Sequence, residues 1–187
     1  MQDKRNQRSR AAMRKAMVQL MEQKPAEKIT VKELCEAADV NRSTFYGSYT
    51  DLDELLKEAH DELFRRMYGS LKNSYTHIWP ADVSNSRRAL EEIAEYMQQN
   101  KELFLLFLRN NTNHTFESNM VRYFYDRFAE KLQTPEERSI FLYHAIGGCG
   151  ILCDWLRNDN TMSSEQIADV LHQMSRTAGA LRDKKPL

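Results

Sequence analysis

Apolar residues recur along this chain at the spacing of one helix face, and this pattern constrains the fold more than any other feature. In the first segment, Met13, Ala16, Met17, Leu20 and Met21 follow the i, i+3, i+4, i+7, i+8 spacing of a buried stripe. Runs in which Val, Ile or Thr alternate with polar residues are missing, and the 187 residues include only 6 Gly and 4 Pro. These features argue against a sheet with many tight turns, and we expect an all-α fold.

Short polar signatures predict where the helices begin. Thr30-Val-Lys-Glu33 and Thr134-Pro-Glu-Glu137 have the spacing of a capping box, and the second adds proline at the first helical position. Asn41 is a suitable N-cap, and Thr50-Asp-Leu-Asp53 is a further cap signature. Together with the apolar spacing, these signatures predict about nine helices, over about 7–23, 31–38, 42–49, 51–71, 86–99, 101–109, 115–132, 135–157 and 164–181.

Several classes of protein are disfavoured by the sequence. The longest apolar runs, Leu103–Leu108 and Ala145–Cys153, are far shorter than the ~20 residues of a membrane helix. No secretion signal opens the chain, and three Cys without a C-x-x-C pair indicate reduced thiols. We therefore expect a cytoplasmic protein that has no membrane partner.

Enzymatic chemistry has no signature here. The sequence contains no nucleophile elbow, phosphate-binding loop, H-E-x-x-H or Cys-His pattern, and its five His are scattered. Cys149 and Cys153 lie i, i+4 on one predicted helix near His144, which allows either a metal or redox site or two buried structural cysteines. The second interpretation is the commoner one, and we expect no enzyme activity, no cofactor and no metal.

The charge is distributed unevenly although the net charge is zero. Residues 1–50 hold 10 Lys and Arg against 6 Asp and Glu, whereas residues 51–187 hold 17 against 21. This asymmetry indicates two domains with different tasks, one over 1–50 (continuing into the fourth helix, to about 63) and one over 51–187. The basic residues before Arg14 are either a DNA-contacting arm or a disordered tail.

The stretch Asn41–Tyr49 combines one basic, three hydroxyl and three aromatic side chains in nine residues. Helix phase places Phe45 and Tyr49 on the face that packs inwards, and places the remaining polar groups on the opposite side. Two short helices joined by a tight turn, the second with polar groups at its start, form a candidate helix-turn-helix. A solvated helix with a good N-cap is the alternative. The outward-facing set is Arg42, Ser43, Thr44, Tyr46 and Ser48.

Residues 29–46, ITVKELCEAADVNRSTFY, with Leu55 and Leu56 after them, closely resemble the DNA-binding domain of TetR-family transcriptional regulators. The family pattern is roughly T-V-x-x-I-A-x-x-A-G-V-x-x-x-T-[LF]-Y, and the match extends over about 12–63. The resemblance implies that Lys32 contacts a base or phosphate, that Arg42 and Ser43 contact bases, and that Thr44 and Tyr46 contact phosphates. It also implies a homodimer on a palindromic operator in double-stranded DNA.

Three positions depart from the family pattern. Asp39 replaces the usual turn glycine, and Asp tolerates a positive φ better than most residues. Gly47 stands where a larger contact residue is common, and Leu52 stands where a phosphate-binding lysine is typical. The last two departures favour an alternative in which DNA binding is weakened and the protein acts as an adaptor or co-regulator through protein contacts.

The rest of the chain resembles the family only in architecture. The resemblance implies a helical domain that binds a small-molecule effector and dimerises through the last two helices. Aromatic and polar residues at interior positions supply the candidate effector site: Tyr96, Phe107, Arg122, Tyr125 and His144. Small residues that permit close helix approach, with apolar neighbours, supply the candidate dimer interface: Gly147, Gly148, Cys149, Trp155, Val170 and Met174. The predicted function is a ligand-responsive repressor that a small molecule releases from its operator.

Overall fold

In the computed structural model, residues 2–70, 83–110, 115–158 and 162–182 are described, and they form α-helices without a strand. The nine helices in these ranges are α1 (Gln2–Met21), α2 (Val31–Ala37), α3 (Arg42–Tyr46), α4 (Leu52–Ser70), α5 (Val83–Gln99), α6 (Lys101–Arg109), α7 (Thr115–Phe128), α8 (Pro135–Arg157) and α9 (Ser164–Arg182). Short 3-10 helices cover Ala26–Lys28 and Ala129–Lys131. The predicted all-α class is confirmed.

Local capping accounts for the starts of α2 and α8. The Thr30 side chain accepts a hydrogen bond from the Glu33 amide at 3.3 Å, and Glu33 accepts from the Thr30 amide at 2.9 Å. Thr134 and Glu137 form the same reciprocal pair at the start of α8. Asn41 differs from the prediction, because its side chain makes no capping hydrogen bond to α3. The first turn of α3 is closed by backbone bonds from Thr44 and Phe45 to the Asn41 carbonyl instead.

Three helix ends differ from the sequence prediction. Helix α1 begins at Gln2 rather than near residue 7, because no helix-breaking residue separates the two positions. Helix α3 ends at Tyr46, and the chain continues to Tyr49 in tight turns. Helix α7 ends at Phe128, after which the 3-10 helix carries the chain to Lys131.

One continuous core joins the first three helices to the rest of the chain. Met13, Leu34 and Phe45 are fully buried around Leu55, which lies in the first half of α4. The second half of α4 carries Phe64 and other buried residues into the core formed with α5, α6, α7 and α8. Helix α4 therefore belongs to both parts of the core and connects them.

Helix α8 is long and apolar enough, by length and composition, to cross a membrane. The prediction from unbroken apolar runs did not identify it, because His144 precedes and Asp154 follows the run Ala145–Cys153, and the run alone is too short. One such helix is weak support for a membrane span, since core helices of soluble proteins have the same length and composition. Here Phe141, Leu152 and Trp155 of α8 pack inside the chain.

Candidate nucleic-acid interface and effector cavity

The turn between α2 and α3 has the geometry of a helix-turn-helix. Asp39 adopts φ 52°, in the left-handed region, and the Val40 amide donates to the Cys35 carbonyl at 3.0 Å. Phe45 is fully buried and Tyr49 is 2% exposed, with their ring centroids 5.8 Å apart. The predicted inward face of α3 is therefore its buried face, and it fixes the helix on the core.

The predicted outward face of α3 is accessible. Arg42, Ser43 and Tyr46 are exposed, and Thr44 and Ser48 are partly buried. The Tyr46 side chain is 57% exposed and its ring contacts Phe45 edge-on at 5.2 Å between centroids. Because one edge of the ring rests on a buried neighbour, the hydroxyl of Tyr46 is held out from the helix.

A surface concavity of about 850 Å³ lies against α2 and α3. It brings together four of the six predicted DNA-binding residues: Lys32, Arg42, Thr44 and Ser48. Ser43 and Tyr46 lie outside its lining. Arg5, Asn6 and Ser9 of α1 also line it, and of these the sequence analysis considered only Arg5, as one of the basic residues before Arg14.

Lys32 is an exposed cation of the concavity. Its side chain is 73% exposed and its Nζ lies 3.9 Å from an Oε1 of Glu36, one helical turn away. An exposed pair of this kind contributes little to stability, so the lysine can exchange its partner for a phosphate at small cost.

The basic residues before Arg14 belong to α1, which is helical from Gln2, so they are not a disordered tail, and the DNA-contacting alternative stays a prediction. Arg10 donates to Glu58 of α4 at 2.5 Å, and Arg14 pairs with the same carboxylate. The Arg10 guanidinium also lies over the Tyr49 ring at 5.0 Å. The first fifteen residues contain six Lys and Arg. Two of them, Arg10 and Arg14, are thus engaged within the chain, where they tie α1 to α4 and to the turn after α3.

The ionisation of this cluster follows from its contacts. Burial raises the pKa of Tyr49 to about 12, and the neighbouring Glu58 carboxylate adds to the shift. The hydrogen bond to Glu58 raises the pKa of Arg10. The charged Arg10 guanidinium and the neutral Tyr49 phenol therefore keep their form at physiological pH. Glu58 was missed by sequence reasoning, because no local pattern links residue 58 to residues 10 and 14.

Two of the three departures from the family pattern, Gly47 and Leu52, lie in different environments. Gly47 has φ −75° and lines the concavity, so backbone geometry does not demand glycine there. Leu52 is partly buried and packs against the core, while Asp51 and Asp53 on either side are exposed. Leu52 therefore serves packing at the start of α4.

An apolar cavity of about 530 Å³ lies among α4, α5, α7, α8 and α9. Its walls include Met67, Met120, Phe124, Phe128 and Leu171. The polar side chains that line it belong to His144, Tyr143 and Ser175. A site with this lining fits an apolar molecule with few hydrogen-bonding groups.

Four of the five predicted effector residues lie outside this cavity, and only His144 lines it. Phe107 is a core residue that stacks on Phe116 with centroids 5.6 Å apart. Tyr96 packs edge-on against Phe104, and Tyr125 against Phe141. Arg122 is exposed and donates to Asn119 at 3.1 Å. Helical spacing along α7 marks the missed wall, because Met120, Phe124 and Phe128 follow one another at intervals of four.

His60 is a buried histidine that the sequence analysis did not single out. It is 3% exposed, its ring meets Phe107 and Phe116 edge-on at 4.7 and 5.0 Å, and its Nδ1 lies 3.1 Å from the Asn119 amide nitrogen. Burial lowers the pKa of His60 to about 4. A neutral imidazole thus forms part of the contact between α4, α6 and α7.

The predicted dimer residues divide into three groups by burial. Cys149 and Trp155 are buried, and Trp155 donates from its indole nitrogen to the Met162 carbonyl at 3.0 Å, so these side chains face the core. Met174 is 52% exposed, and Gly147 is exposed. Gly148 and Val170 are partly buried, and a Cβ at Gly148 would lie 3.9 Å from Leu171 of the same chain. The exposed apolar residues of α8 that the sequence analysis missed are Leu142, Tyr143 and Ile146.

The cysteines have the character of structural residues. All three are free and buried, and burial raises the pKa of Cys149 and raises that of Cys153 to about 12. Thiols of such high pKa are poor nucleophiles and poor metal ligands. Within the ranges that the structure describes, no group of three or more His, Cys, Asp or Glu could hold a metal ion.

Comparison with known proteins agrees with this geometry. The chain is 21% identical over 173 residues to YxbF of Bacillus subtilis (strain 168), an uncharacterized HTH-type transcriptional regulator, covering 88% of this chain. The chain spans only 44% of that relative's length.

Solved structures share the fold at low identity. A TetR transcriptional regulator from Streptococcus agalactiae 2603V superposes with a TM-score of 0.63 at 23% identity, covering 93% of this chain and 97% of that one. The dihydroxyacetone kinase operon activator DhaS gives a TM-score of 0.56 at 18% identity, covering 92% and 97%.

A family model matches the C-terminal part of the chain. It describes a transcriptional regulator C-terminal region of TetR type, and it covers residues 84–177, which are 94 of the 187 residues. Members of this family are transcriptional regulators rather than enzymes. With the helix-turn-helix of α2 and α3 before the matched region, the chain belongs to the TetR family of transcriptional regulators.

Proposed function

We propose that this protein is a dimeric, ligand-responsive repressor that binds a palindromic operator in double-stranded DNA. The observation that carries the proposal is the division of α3 into a buried and an exposed face. Phe45 and Tyr49 hold the helix on the core, while the polar side chains at its start remain accessible. A recognition helix needs both properties, since its contacts are made by side chains on a rigid element.

The exposed groups suit the two kinds of DNA contact. In the major groove, the Arg42 guanidinium can donate to O6 and N7 of guanine, and the Ser43 hydroxyl can contact base edges. Thr44 and Tyr46 carry hydroxyls that can donate to phosphates and set the position of α3 along the groove. Lys32, one helix earlier, adds a cation at the edge of the same concavity.

Dimerisation would occur through the exposed apolar face of α8 and α9. Tyr143, Ile146 and Met174 are 74%, 61% and 52% exposed. A Cβ at Gly147 or Gly150 would meet nothing within 4 Å in this chain, so the α8 backbone is open to a second copy there. A two-fold pair would place its α3 helices about one DNA turn apart, at ~34–36 Å.

The apolar cavity is the proposed effector site, and α4 is the proposed link to DNA. Met67 of α4 lines the cavity, and Leu55 of the same helix packs beneath α3. A molecule that favours a shifted α4 would change the separation of the two recognition helices and release the operator. The size of this effect is limited by the difference in effector affinity between the two states. The cavity lining favours an effector without net charge, and the site of action would be the cytoplasm.

An adaptor or co-regulator with weak DNA binding is the second candidate. Gly47 offers no side chain to DNA, and Leu52 packs against the core where a lysine would reach a phosphate. DhaS, which shares the fold, is described as an operon activator. Whether this protein represses or activates transcription therefore needs a separate test.

Selection of bound sequences from a random duplex pool distinguishes these candidates. Enrichment of a palindrome by the wild-type protein would support the repressor, and no enrichment at low salt would support the adaptor. Tyr46→Phe should weaken binding to the enriched duplex several-fold, since one hydrogen bond to a phosphate is lost. Tyr96→Phe, a matched change in the larger domain, should leave that affinity unchanged.

A further inference from the structure

The first two turns of α1 extend beyond the core. Helix α1 begins at Gln2, residues 4–8 are all exposed, and the first buried side chain of the helix is that of Met13. Most helical stability in proteins comes from packing of an apolar face. These two turns have no such face, so internal packing does not account for their sequence.

One polar face of these turns is hydrogen-bonded to the turn that follows the recognition helix. Asn6 Oδ1 accepts a hydrogen bond from the Ser48 hydroxyl at 3.2 Å, across 42 positions of sequence. Arg5, Asn6 and Ser9 line the concavity together with Arg42 and Thr44. The start of α1 therefore continues the surface that carries the predicted DNA contacts.

The cations of α1 differ in whether they line the concavity. Arg10 and Arg14 are bound to Glu58, which takes them away from the concavity. Arg5 is the cation that α1 places in the lining, whereas Lys15 is exposed outside it.

The concavity also contains two acidic residues. Glu36 and Asp39 lie in the same lining as Lys32 and Arg42, and Glu36 pairs with Lys32. Without α1, two cations therefore face two carboxylates. Arg5 tips this balance towards positive charge, which complements a polyanion.

We propose that the first two turns of α1 are a second DNA-binding element, in which Arg5 contacts a backbone phosphate beside the groove that α3 occupies. This inference rests on the proposed DNA binding. The contact is independent of sequence, because phosphates carry no base information. It supplies the cationic contact to the DNA backbone that Leu52 does not make.

Salt dependence of binding tests this contact. The probe is the palindromic duplex enriched from the random pool, titrated by fluorescence anisotropy at several salt concentrations. Loss of one phosphate contact in each half-site should reduce the slope of log K against log salt by about 0.9 for each half-site. Arg5→Gln should show this change and should weaken binding to a random duplex as well. Lys15→Gln removes the same charge from the same helix and should match the wild type.

The outcomes separate the inference from the proposed function. If wild type binds and Arg5→Gln keeps its salt slope, the α1 contact is wrong while DNA binding stands. Equal losses in Arg5→Gln and Lys15→Gln would reveal a general charge effect and would also overturn the contact. If wild type binds no duplex at low salt, the proposed function fails, and the α1 contact fails with it. Far-UV circular dichroism of both variants controls for folding.

Discussion

Glu58 joins α4 to α1 through a single carboxylate, beside the turn that follows α3. Arg10 and Arg14 of α1 both pair with it, and the Tyr49 ring lies beneath Arg10. The Glu58 side chain is 21% exposed, so these contacts are only partly screened by water. Glu58 thereby fixes the position of α1 relative to α4.

Replacement of Glu58 should therefore lower stability. We expect Glu58→Gln to reduce the free energy of unfolding by about 1–2 kcal/mol, because two guanidinium groups lose a partly buried charged acceptor. Urea unfolding measures this change. Glu62→Gln is a matched control on the same helix, since Glu62 pairs only with exposed arginines one turn away among its described contacts. It should cost about 0.5 kcal/mol or less, and an equal cost in the two variants would contradict the role of Glu58.

His60 makes stability depend on pH. Its folded pKa of about 4 lies below the ordinary value of 6.5, because burial disfavours the charged ring. As pH falls below 6.5 the unfolded chain takes up the proton first, so stability declines until pH reaches the folded pKa. At 1.36 kcal/mol for each pKa unit, the loss by pH 4 should be roughly 3 kcal/mol.

The measurement compares wild type with His60→Gln in urea unfolding between pH 7 and pH 4.5. The variant is expected to be less stable at pH 7 and to lose less stability on acidification than wild type. Carboxylates contribute equally to both proteins over this range, so the difference between the two curves belongs to His60. Parallel curves would show that His60 is not buried in its neutral form.

At the scale of single helices, α8 has two different faces. Phe141, Leu152 and Trp155 face the core, while Leu142, Tyr143 and Ile146 are exposed. Exposed apolar patches with this helical spacing commonly mark a protein interface. Because both faces of α8 are apolar, its composition resembles that of a membrane span.

Ile146 tests the outer face. Ile146→Glu should weaken dimerisation roughly tenfold or more, because a carboxylate would be buried in the interface without a partner. Its fold should be preserved, since the side chain is 61% exposed in the single chain. Sedimentation velocity at micromolar concentration measures the change. Gln98→Glu, an exposed substitution on α5, is the control, and a wild-type protein that sediments as a monomer would contradict the proposed interface.

At the scale of the whole molecule, the two predicted domains share one core. The cluster that contains Met13 and Leu34 continues through Leu55 and Phe64 of α4 to Leu171 of α9. The Ala26 amide also donates to Asn110 Oδ1 at 2.8 Å, which joins the segment before α2 to the end of α6. A substitution that destabilises either part should therefore also destabilise the other.

Unfolding should accordingly be one cooperative transition. Leu34→Ala is expected to lower stability by about 2–5 kcal/mol through the cavity it leaves. Because the chain contains only Trp79 and Trp155, both far from α2 in sequence, tryptophan fluorescence reports on the larger domain. Its midpoint should shift with that of far-UV circular dichroism at equal protein concentration. A fluorescence transition unaffected by Leu34→Ala would show independent domains.

The sequence by itself determined the helices and the two faces of α3. Capping boxes at Thr30 and Thr134 involve residues three positions apart, and a buried stripe repeats within each helix, so both are properties of local sequence. The phase of Phe45 and Tyr49 placed the DNA-facing residues on the opposite side for the same reason.

Only the tertiary structure decided which helices meet and what their side chains face. Arg10 and Glu58 are 48 positions apart, and the walls of the apolar cavity come from five helices. Phe107 was predicted to line the effector site, yet it lies in the core, as does His60, which the sequence analysis did not single out. Helical periodicity shows that a residue points inwards but not towards which neighbour, because the separation and crossing of packed helices depend on side chains from the whole chain at once.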